Sequence, residues 1–223
     1  MKKKRIFSVI TLIAALVLAG AFTACSDSGG ETQYRIVKET DSSGPTRNYF
    51  YDAGGSLIML EFRDASDVIT GITDYTNDSA GRRTKAEYYD DVSRTQKLEI
   101  DEYEYENGVL KKCDYKRWDG SDFLLDFYEV YTFSNGKKMK TEGFFADNTP
   151  DYRILFEYDS SGGRTGSRVE NYNGSMWVPG LIRTRIYDSN GLLLRVDHSS
   201  GIKKTFEWEE GKTTHNYDNY WGY

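Results

Sequence analysis

An internal repeat is the feature that most constrains how this 223-residue chain can fold. Units made of an aromatic residue, a short polar turn and a glycine recur along most of the chain. The glycines lie 26, 27, 28, 26, 29 and 20 residues apart, at Gly55, Gly81, Gly108, Gly136, Gly162, Gly191 and Gly211. A nearly constant period indicates an architecture built from stacked copies of one structural unit.

Each unit has the pattern of a β-hairpin. Asn-Gly pairs such as Asn107-Gly108 suit hairpin turns, because both residues tolerate positive φ. Aromatic residues two apart, such as Tyr103 and Tyr105, lie on one face of a strand. Four residues after the glycine a basic side chain is frequent, as at Lys85, Lys112, Lys140 and Arg195.

One period of about 27 residues accommodates two strands of roughly ten residues and two turns. We therefore predict an all-β fold, an antiparallel up-and-down meander of about 12 to 14 strands that forms a curved sheet or a soluble barrel. The second turn of each unit is less regular, and the predicted ranges include 64–71, 147–151 and 173–179. Aromatic residues make up 15% of the chain and only 3 residues are Pro, a composition that favours strands.

The units resemble the YD repeats of RHS-type proteins. The best matches are Tyr187-Asp188-Ser189-Asn190-Gly191-Leu192-Leu193 and Tyr158-Asp159-Ser160-Ser161-Gly162, and the resemblance covers most of residues 47–212. It implies a relative of the hollow β-shells that large RHS proteins form around a toxin. Six or seven units are too few for a closed cocoon, so the encapsulating function is not expected here.

The N-terminus resembles the export signal of bacterial lipoproteins. Lys2–Arg5 is basic, Ile6–Leu18 is almost entirely apolar, and Phe22-Thr23-Ala24-Cys25 occupies the place of a lipobox, although Phe22 stands where that family usually has Leu. The resemblance implies a signal peptide over 1–24, a lipidated tether over 25–33 that begins at Cys25, and a repeat domain over 34–223. An ordinary secretory signal with an incidental cysteine, or a retained transmembrane helix, are the alternatives.

Lipid on Cys25 would hold the protein to a membrane in the bacterial cell envelope. Ser26 follows the cysteine where Asp would favour retention in the inner membrane, so we expect the outer membrane or the cell surface.

Charge and cysteine content exclude several classes of function. Four of the 29 basic residues and none of the 35 acidic residues lie in 1–24, so the remainder carries 25 against 35 and a formal charge of −10. Such a surface repels phosphate backbones, and we predict no nucleic-acid partner. With lipid on Cys25, Cys113 would be the only thiol left, so no intrachain disulfide is expected, and Cys113 is interpreted as an inert strand residue.

No catalytic motif stands out, and the sequence predicts neither an enzyme nor a metal or other cofactor. His198 and His215 have no partner at metal-ligand spacing. Trp118, Trp177 and Trp221 lie in or near predicted loops or the last strand, where flat rings could bind a glycan or a protein. The alternative is that these rings simply pack the sheet.

These observations predict a non-catalytic binding or scaffold module. One alternative is a hydrolase of envelope glycans whose carboxylates, distant in sequence, converge in space. Another is a small outer-membrane barrel, suggested by the alternation of Tyr217, Trp221 and Tyr223. Segments such as 81–87 and 136–142 place charges on both faces of a strand, which disfavours a lipid-facing wall.

Overall fold

The computed structural model describes residues 34–188 and 191–210, and these residues form a closed antiparallel up-and-down barrel of fourteen strands. The strands are β1 (Tyr34–Asp41), β2 (Thr46–Tyr51), β3 (Leu57–Arg63), β4 (Ile69–Asn77), β5 (Arg83–Tyr89), β6 (Lys97–Glu106), β7 (Val109–Trp118), β8 (Phe123–Ser134), β9 (Lys137–Phe145), β10 (Pro150–Tyr158), β11 (Arg164–Tyr172), β12 (Trp177–Tyr187), β13 (Leu193–His198) and β14 (Lys203–Glu210). The all-β, up-and-down prediction is confirmed.

The barrel closes where β1 pairs with β14, from Tyr34 opposite Glu210 to Asp41 opposite Lys204. The sequence left an open curved sheet and a barrel as alternatives, and the structure has the barrel. Closure gives each of the fourteen described strands two neighbours, so the described sheet has no free edge. Among the described residues, no helix is long and apolar enough to cross a membrane.

Because consecutive strands alternate in direction, the two kinds of turn lie at opposite ends of the barrel. We call one end the repeat-turn end; it carries the turns of Gly55, Gly81, Gly108, Gly136, Gly162 and Gly191, all at positive φ. The other, which we call the variable-loop end, carries the loops over 42–45, 64–68, 90–96, 119–122, 146–149, 173–176 and 199–202.

The Asp of the Tyr-Asp pair closes the repeat turn. The Asp159 carboxylate accepts the backbone N–H of Gly163 at 2.8 Å, and the Asp159 carbonyl accepts the N–H of Gly162 at 3.0 Å. The same carboxylate bonds form at Asp52, Asp78 and Asp188. Side-chain capping of this kind satisfies backbone donors that the tight turn would otherwise leave unpaired.

The aromatic residue of the unit ties one hairpin to the next. The hydroxyl of Tyr158 donates to the carbonyl of Lys138 at 2.7 Å, and the acceptor lies two residues after the glycine of the preceding unit. Matching bonds join Tyr51 to Ile36, Tyr105 to Arg83, Tyr187 to Arg164 and the Trp208 indole N–H to Leu193. The repeat period therefore recurs as an inter-repeat hydrogen bond along the repeat-turn end.

We expect Tyr158→Phe to lower the free energy of unfolding by about 1 kcal/mol, because the ring still packs while the bond to Lys138 is lost. Urea unfolding followed by circular dichroism measures the change. Tyr34→Phe is the matched control, since Tyr34 is 40% exposed. Equal unfolding midpoints for the two variants would contradict a stabilising role for the inter-repeat bond.

The outer face of the barrel carries ion pairs between residues two apart in one strand. The basic residue four positions after the repeat glycine pairs with the acidic residue six positions after it. The pairs are Lys85–Glu87 at 2.6 Å, Lys112–Asp114 at 2.7 Å, Lys140–Glu142 at 2.7 Å and Arg195–Asp197 at 2.6 Å. The basic position noted in the sequence thus belongs to a repeated ion pair on the outer wall.

The residues two and five positions after each of the six described repeat glycines lie on the inner face, and all of them are buried. Position two holds Leu57, Arg83, Leu110, Lys138, Arg164 and Leu193, and position five holds Leu60, Ala86, Cys113, Thr141, Ser167 and Val196. Cys113 therefore occupies a place that takes small or aliphatic side chains in each of the six described units. Its thiol is free and fully buried, and burial raises its pKa well above the usual range.

Three predicted loops are shorter in the structure. Strand β4 begins at Ile69, β10 begins at Pro150, and β12 begins at Trp177, so the predicted ranges 64–71, 147–151 and 173–179 were too long. Pro179 lies inside β12 opposite Glu170, where the register shifts between Arg168 and Glu170. This irregularity accommodates a residue that cannot donate a ladder hydrogen bond.

Candidate ligand-binding lumen

The lumen of the barrel contains two adjoining cavities. The first, of about 230 Å³, is lined by Arg47, Leu57, Leu60, Phe62, Thr73, Tyr75, Arg83, Ala86, Tyr88, Glu99, Asp101, Tyr103 and Tyr115. The second, of about 440 Å³, is lined by Glu99, Tyr103, Leu110, Tyr115, Phe127, Glu129, Tyr131, Lys138, Tyr152, Ile154, Val169, Asn171 and Arg183. We call these the first and second lobes; they share Glu99, Tyr103 and Tyr115.

The second lobe continues into a more open cavity of about 380 Å³, which we call the mouth. The mouth is lined by Glu99, Tyr115, Arg117, Asp126, Phe127, Phe145, Asp151 and Tyr152. Arg117 and Phe145 lie beside the loops 119–122 and 146–149, so the mouth is at the variable-loop end.

At the repeat-turn end the described part of the lumen is filled by side chains. None of the six residues at position two of the repeats is more than 8% exposed. Three of them are cations that lie over aromatic rings: Arg83 is 3.7 Å from the Tyr75 ring centre, Lys138 is 5.1 Å from Tyr131, and Arg164 is 4.2 Å from Phe156. Ring faces offset part of the desolvation of a buried cation. Within the described residues, the lumen is therefore a pocket with its mouth at one end.

A buried carboxylate organises the wall of the second lobe. Glu129 is 7% exposed and accepts hydroxyl hydrogen bonds from three tyrosines: Tyr115 at 2.9 Å, and Tyr131 and Tyr152. Burial, and next the Glu129 charge, raise the pKa of Tyr115 and Tyr131 well above the usual range. Tyr115 and Tyr131 therefore stay protonated donors, and both oxygens of Glu129 accept hydroxyl hydrogen bonds.

A second acidic group, Asp101, lines the first lobe. Burial raises the pKa of Asp101 to about 8, the charges of Glu99 and Glu129 add to the rise, and Arg83 opposes it. Its hydroxyl neighbour Tyr103 donates at a long 3.4 Å. At neutral pH the carboxyl of Asp101 is therefore mostly protonated.

Two stacked rings form a flat platform in the second lobe. Phe127 and Tyr152 lie 5.6 Å apart at an interplanar angle of 17° and come from strands on either side of β9. Gly143 on β9 lies beneath them, and a Cβ there would meet Phe127 at 2.3 Å and Tyr152 at 2.8 Å. The glycine is needed because the rings cover the place that its side chain would occupy.

We expect Gly143→Ala to separate the two rings, lower the free energy of unfolding by about 1–3 kcal/mol and weaken any ligand that contacts the platform. Thermal unfolding measures the change in stability, a crystal structure of the variant measures the separation of the rings, and ligand titration measures the loss of affinity. The control is Met139→Ala, which changes an outward side chain of the same strand that is 38% exposed. A variant with wild-type stability and unmoved rings would show that the platform does not depend on Gly143.

The predicted site residues do not come together. Trp118 packs on Phe123 at 5.2 Å, and Trp177 packs on Tyr172 at 5.2 Å with the Arg153 guanidinium 4.6 Å from its ring. Both tryptophans lie on the outer face, on β7 and β12, and line neither lobe. Trp221, Gly211 and Cys25 lie outside the described residues.

Carboxylates distant in sequence do converge, since Glu99, Asp101 and Glu129 all face the lumen. The described residues contain no group of three His, Cys, Asp or Glu side chains arranged to hold a metal ion. Sequence reasoning missed the lumen residues Tyr115, Phe127 and Tyr152. The aromatic pairs noted in the sequence, such as Tyr103 and Tyr105, predicted one face of a strand, but they did not indicate that this face surrounds a cavity.

No family model matches the chain, and no curated protein matches it. Among solved structures it is similar to a porin-like protein from Bacteroides uniformis, with 10% identity over 78% of this chain and 96% of that chain and a TM-score of 0.44. It also resembles part of the TcdB2–TccC3 structure, with 17% identity, a TM-score of 0.31 and 74% of this chain covered. The match spans about 10% of that protein's length. The fold described here rests on the strand pairing of this chain.

Proposed function

We propose that this protein is an exported, lipid-anchored and non-catalytic binding protein of the bacterial cell envelope, whose ligand enters the barrel through the mouth. The observation that carries the proposal is the lumen, which is lined by aromatic and polar side chains, reached from the variable-loop end and filled at the repeat-turn end. Concave sites with apolar walls and a few convergent polar groups are the usual form of a small-ligand site.

The outer wall favours water over lipid as its surroundings. A membrane barrel needs an outward apolar band about 25 Å tall. Here the outward positions carry ion pairs, and Arg153 further binds Glu170 at 2.6 Å on the same face. Burying such pairs in hydrocarbon would be costly, which argues against the outer-membrane barrel and against a porin-like channel.

The proposed anchor is lipid on Cys25, which stands nine residues before Tyr34, the first residue of β1. Metabolic labelling with palmitate tests the anchor: we expect label on the wild-type chain and none on Cys25→Ser, and equal labelling would contradict it.

The hydrolase alternative has one observation in its favour, the convergence of Asp101 and Glu129 on one lumen. A glycosidase needs one protonated and one ionised carboxyl group flanking the bond that breaks. Glu129, however, has both oxygens occupied by tyrosine hydroxyls, so it serves as a structural acceptor. We therefore expect no release of reducing ends from envelope glycans; release that is abolished by Asp101→Asn would overturn the non-catalytic assignment.

The binding proposal is tested with the mature chain and a panel of glycans, peptides and small molecules. Lumen binding predicts saturable binding that Gly143→Ala or Asn171→Ala weakens and that Trp118→Ala and Trp177→Ala leave unchanged. The reverse pattern would move the site to the outer tryptophans and contradict a lumen ligand.

A further inference from the structure

The mouth and the second lobe are joined by a continuous row of aromatic rings. Phe145 at the mouth is 6.1 Å from Phe127, and Phe127 is 5.6 Å from Tyr152 and 5.7 Å from Tyr115. Phe145 is 45% exposed, so the row begins at the surface and continues into the lumen. Phe127 is nearly parallel to Tyr152, at 17°, and is turned by 79° to Phe145 and by 51° to Tyr115, so the row offers both ring faces and ring edges. Such an aromatic lining suits a ligand that has an apolar face on each of its units.

The polar groups beside these rings suit hydroxyl groups. Asn171 is exposed and lines the second lobe, opposite Tyr152 in the β10–β11 pairing. Glu99 and Arg183 line the same lobe. A carboxylate accepts, a guanidinium donates and an amide does both, so together they can satisfy several hydroxyls, each of which donates and accepts.

The charges of the mouth and the second lobe disfavour an anionic ligand. The described lining of the mouth holds three carboxylates, Glu99, Asp126 and Asp151, and one cation, Arg117, which lies 3.2 Å from Asp126 and 3.8 Å from Glu99. In the second lobe, Glu99 and Glu129 are matched by Lys138 and Arg183. An acidic entrance repels anions and a balanced lobe gives little net field to hold an ion, which favours an uncharged polar ligand.

From the ring row, the hydrogen-bonding groups and the charges of the mouth and the second lobe, we infer that the lumen binds the end of a neutral oligosaccharide. The inference rests on the proposed function, since it names the ligand of the same lumen. Terminal sugar units enter past Phe145, stack on the Phe127–Tyr152 platform and bond to Glu99, Asn171 and Arg183. The second lobe, at about 440 Å³, is within the range of pockets that enclose small ligands.

The test is calorimetry of the mature chain, with Cys25→Ser, against neutral gluco-, manno- and xylo-oligosaccharides of two to six units. Polygalacturonate and a sulfated oligosaccharide are the charged counterparts. We expect a neutral oligosaccharide to bind, Asn171→Ala to weaken it at least tenfold, and Trp118→Ala to leave it unchanged. Asn171→Asp, of nearly the same shape, is expected to weaken binding without altering the unfolding midpoint.

Two results would overturn the carbohydrate assignment. One is preference for the charged oligosaccharides. The other is binding of only non-carbohydrate molecules, again lost with Asn171→Ala, which would leave the lumen as a binding site for another ligand. If no probe binds and a cysteine placed at residue 171 is unreactive in the folded protein, the proposed function fails together with the inference.

Discussion

Replacing Asp101 with Asn is expected to stabilise the barrel in neutral and alkaline solution. The carboxyl of Asp101 has a pKa of about 8 in the fold against an ordinary value of 3.8, so between these values the folded chain holds a proton that the unfolded chain has released. Stability is therefore full below about pH 4 and falls as the pH rises to about 8. Asn cannot ionise, so the variant avoids this loss, which is on the order of a few kcal/mol by pH 9.

Urea unfolding at a series of pH values measures this effect. Asp101→Asn and the wild type should match near pH 4, diverge as the pH rises to about 8, and differ by a constant amount above it. Glu104→Gln is the control, since Glu104 lies on the same strand with its side chain exposed on the outer wall. A constant difference between Asp101→Asn and wild type at every pH would contradict the placement of a protonated carboxyl in the lumen.

Replacing Glu129 with Leu is expected to lower the free energy of unfolding by at least ~3 kcal/mol, because three tyrosine hydroxyls, one of them on the buried Tyr131, lose their acceptor at once. Glu129→Gln keeps one acceptor oxygen and should be less damaging. Glu142→Leu is the control: it removes an outer-face ion pair with Lys140 and should lower the free energy of unfolding by less than ~1 kcal/mol.

Tyrosine ionisation gives an independent check on Glu129. Its charge contributes to the raised pKa of Tyr115 and Tyr131, after burial. In Glu129→Gln, alkaline titration by ultraviolet absorbance should therefore show these phenols ionising at lower pH than in the wild type. Unchanged stability and unchanged titration would place Glu129 outside the network described here.

Much of the fold could be predicted because the repeat encodes local structure. Asn107-Gly108 and the Asp159–Gly162 turn fix hairpin ends through backbone conformation and capping, which depend on neighbouring residues only. A period of 27 residues with paired aromatics then leaves an up-and-down sheet as the natural arrangement. Barrel closure depends on the pairing of β1 with β14, in which the paired residues lie more than 160 positions apart in the sequence. No local sequence pattern predicts that pairing.

The candidate site was harder to predict because alternation reveals which side chains share a face and not what that face encloses. Tyr103 and Tyr105 were correctly predicted to share one face of a strand. Whether that face meets water or a lumen depends on the closure of the barrel. Trp118 and Trp177 were predicted as binding residues because they lie near predicted loops, and the structure places both on the outer wall. Pro179 misled the loop prediction because the irregular pairing around it is set by the partner strand.

The central claim, a lumen open at the variable-loop end and filled at the other, is tested most directly by cysteine accessibility. In a Cys25→Ser, Cys113→Ser background, single cysteines replace Phe145 at the mouth, Asn171 in the second lobe and Leu193 near the repeat-turn end. We expect a water-soluble maleimide to label positions 145 and 171 in the folded protein and position 193, only 7% exposed, after unfolding alone. Equal labelling of all three would indicate a passage through the barrel, protection of all three would indicate a sealed lumen, and either result would contradict the account.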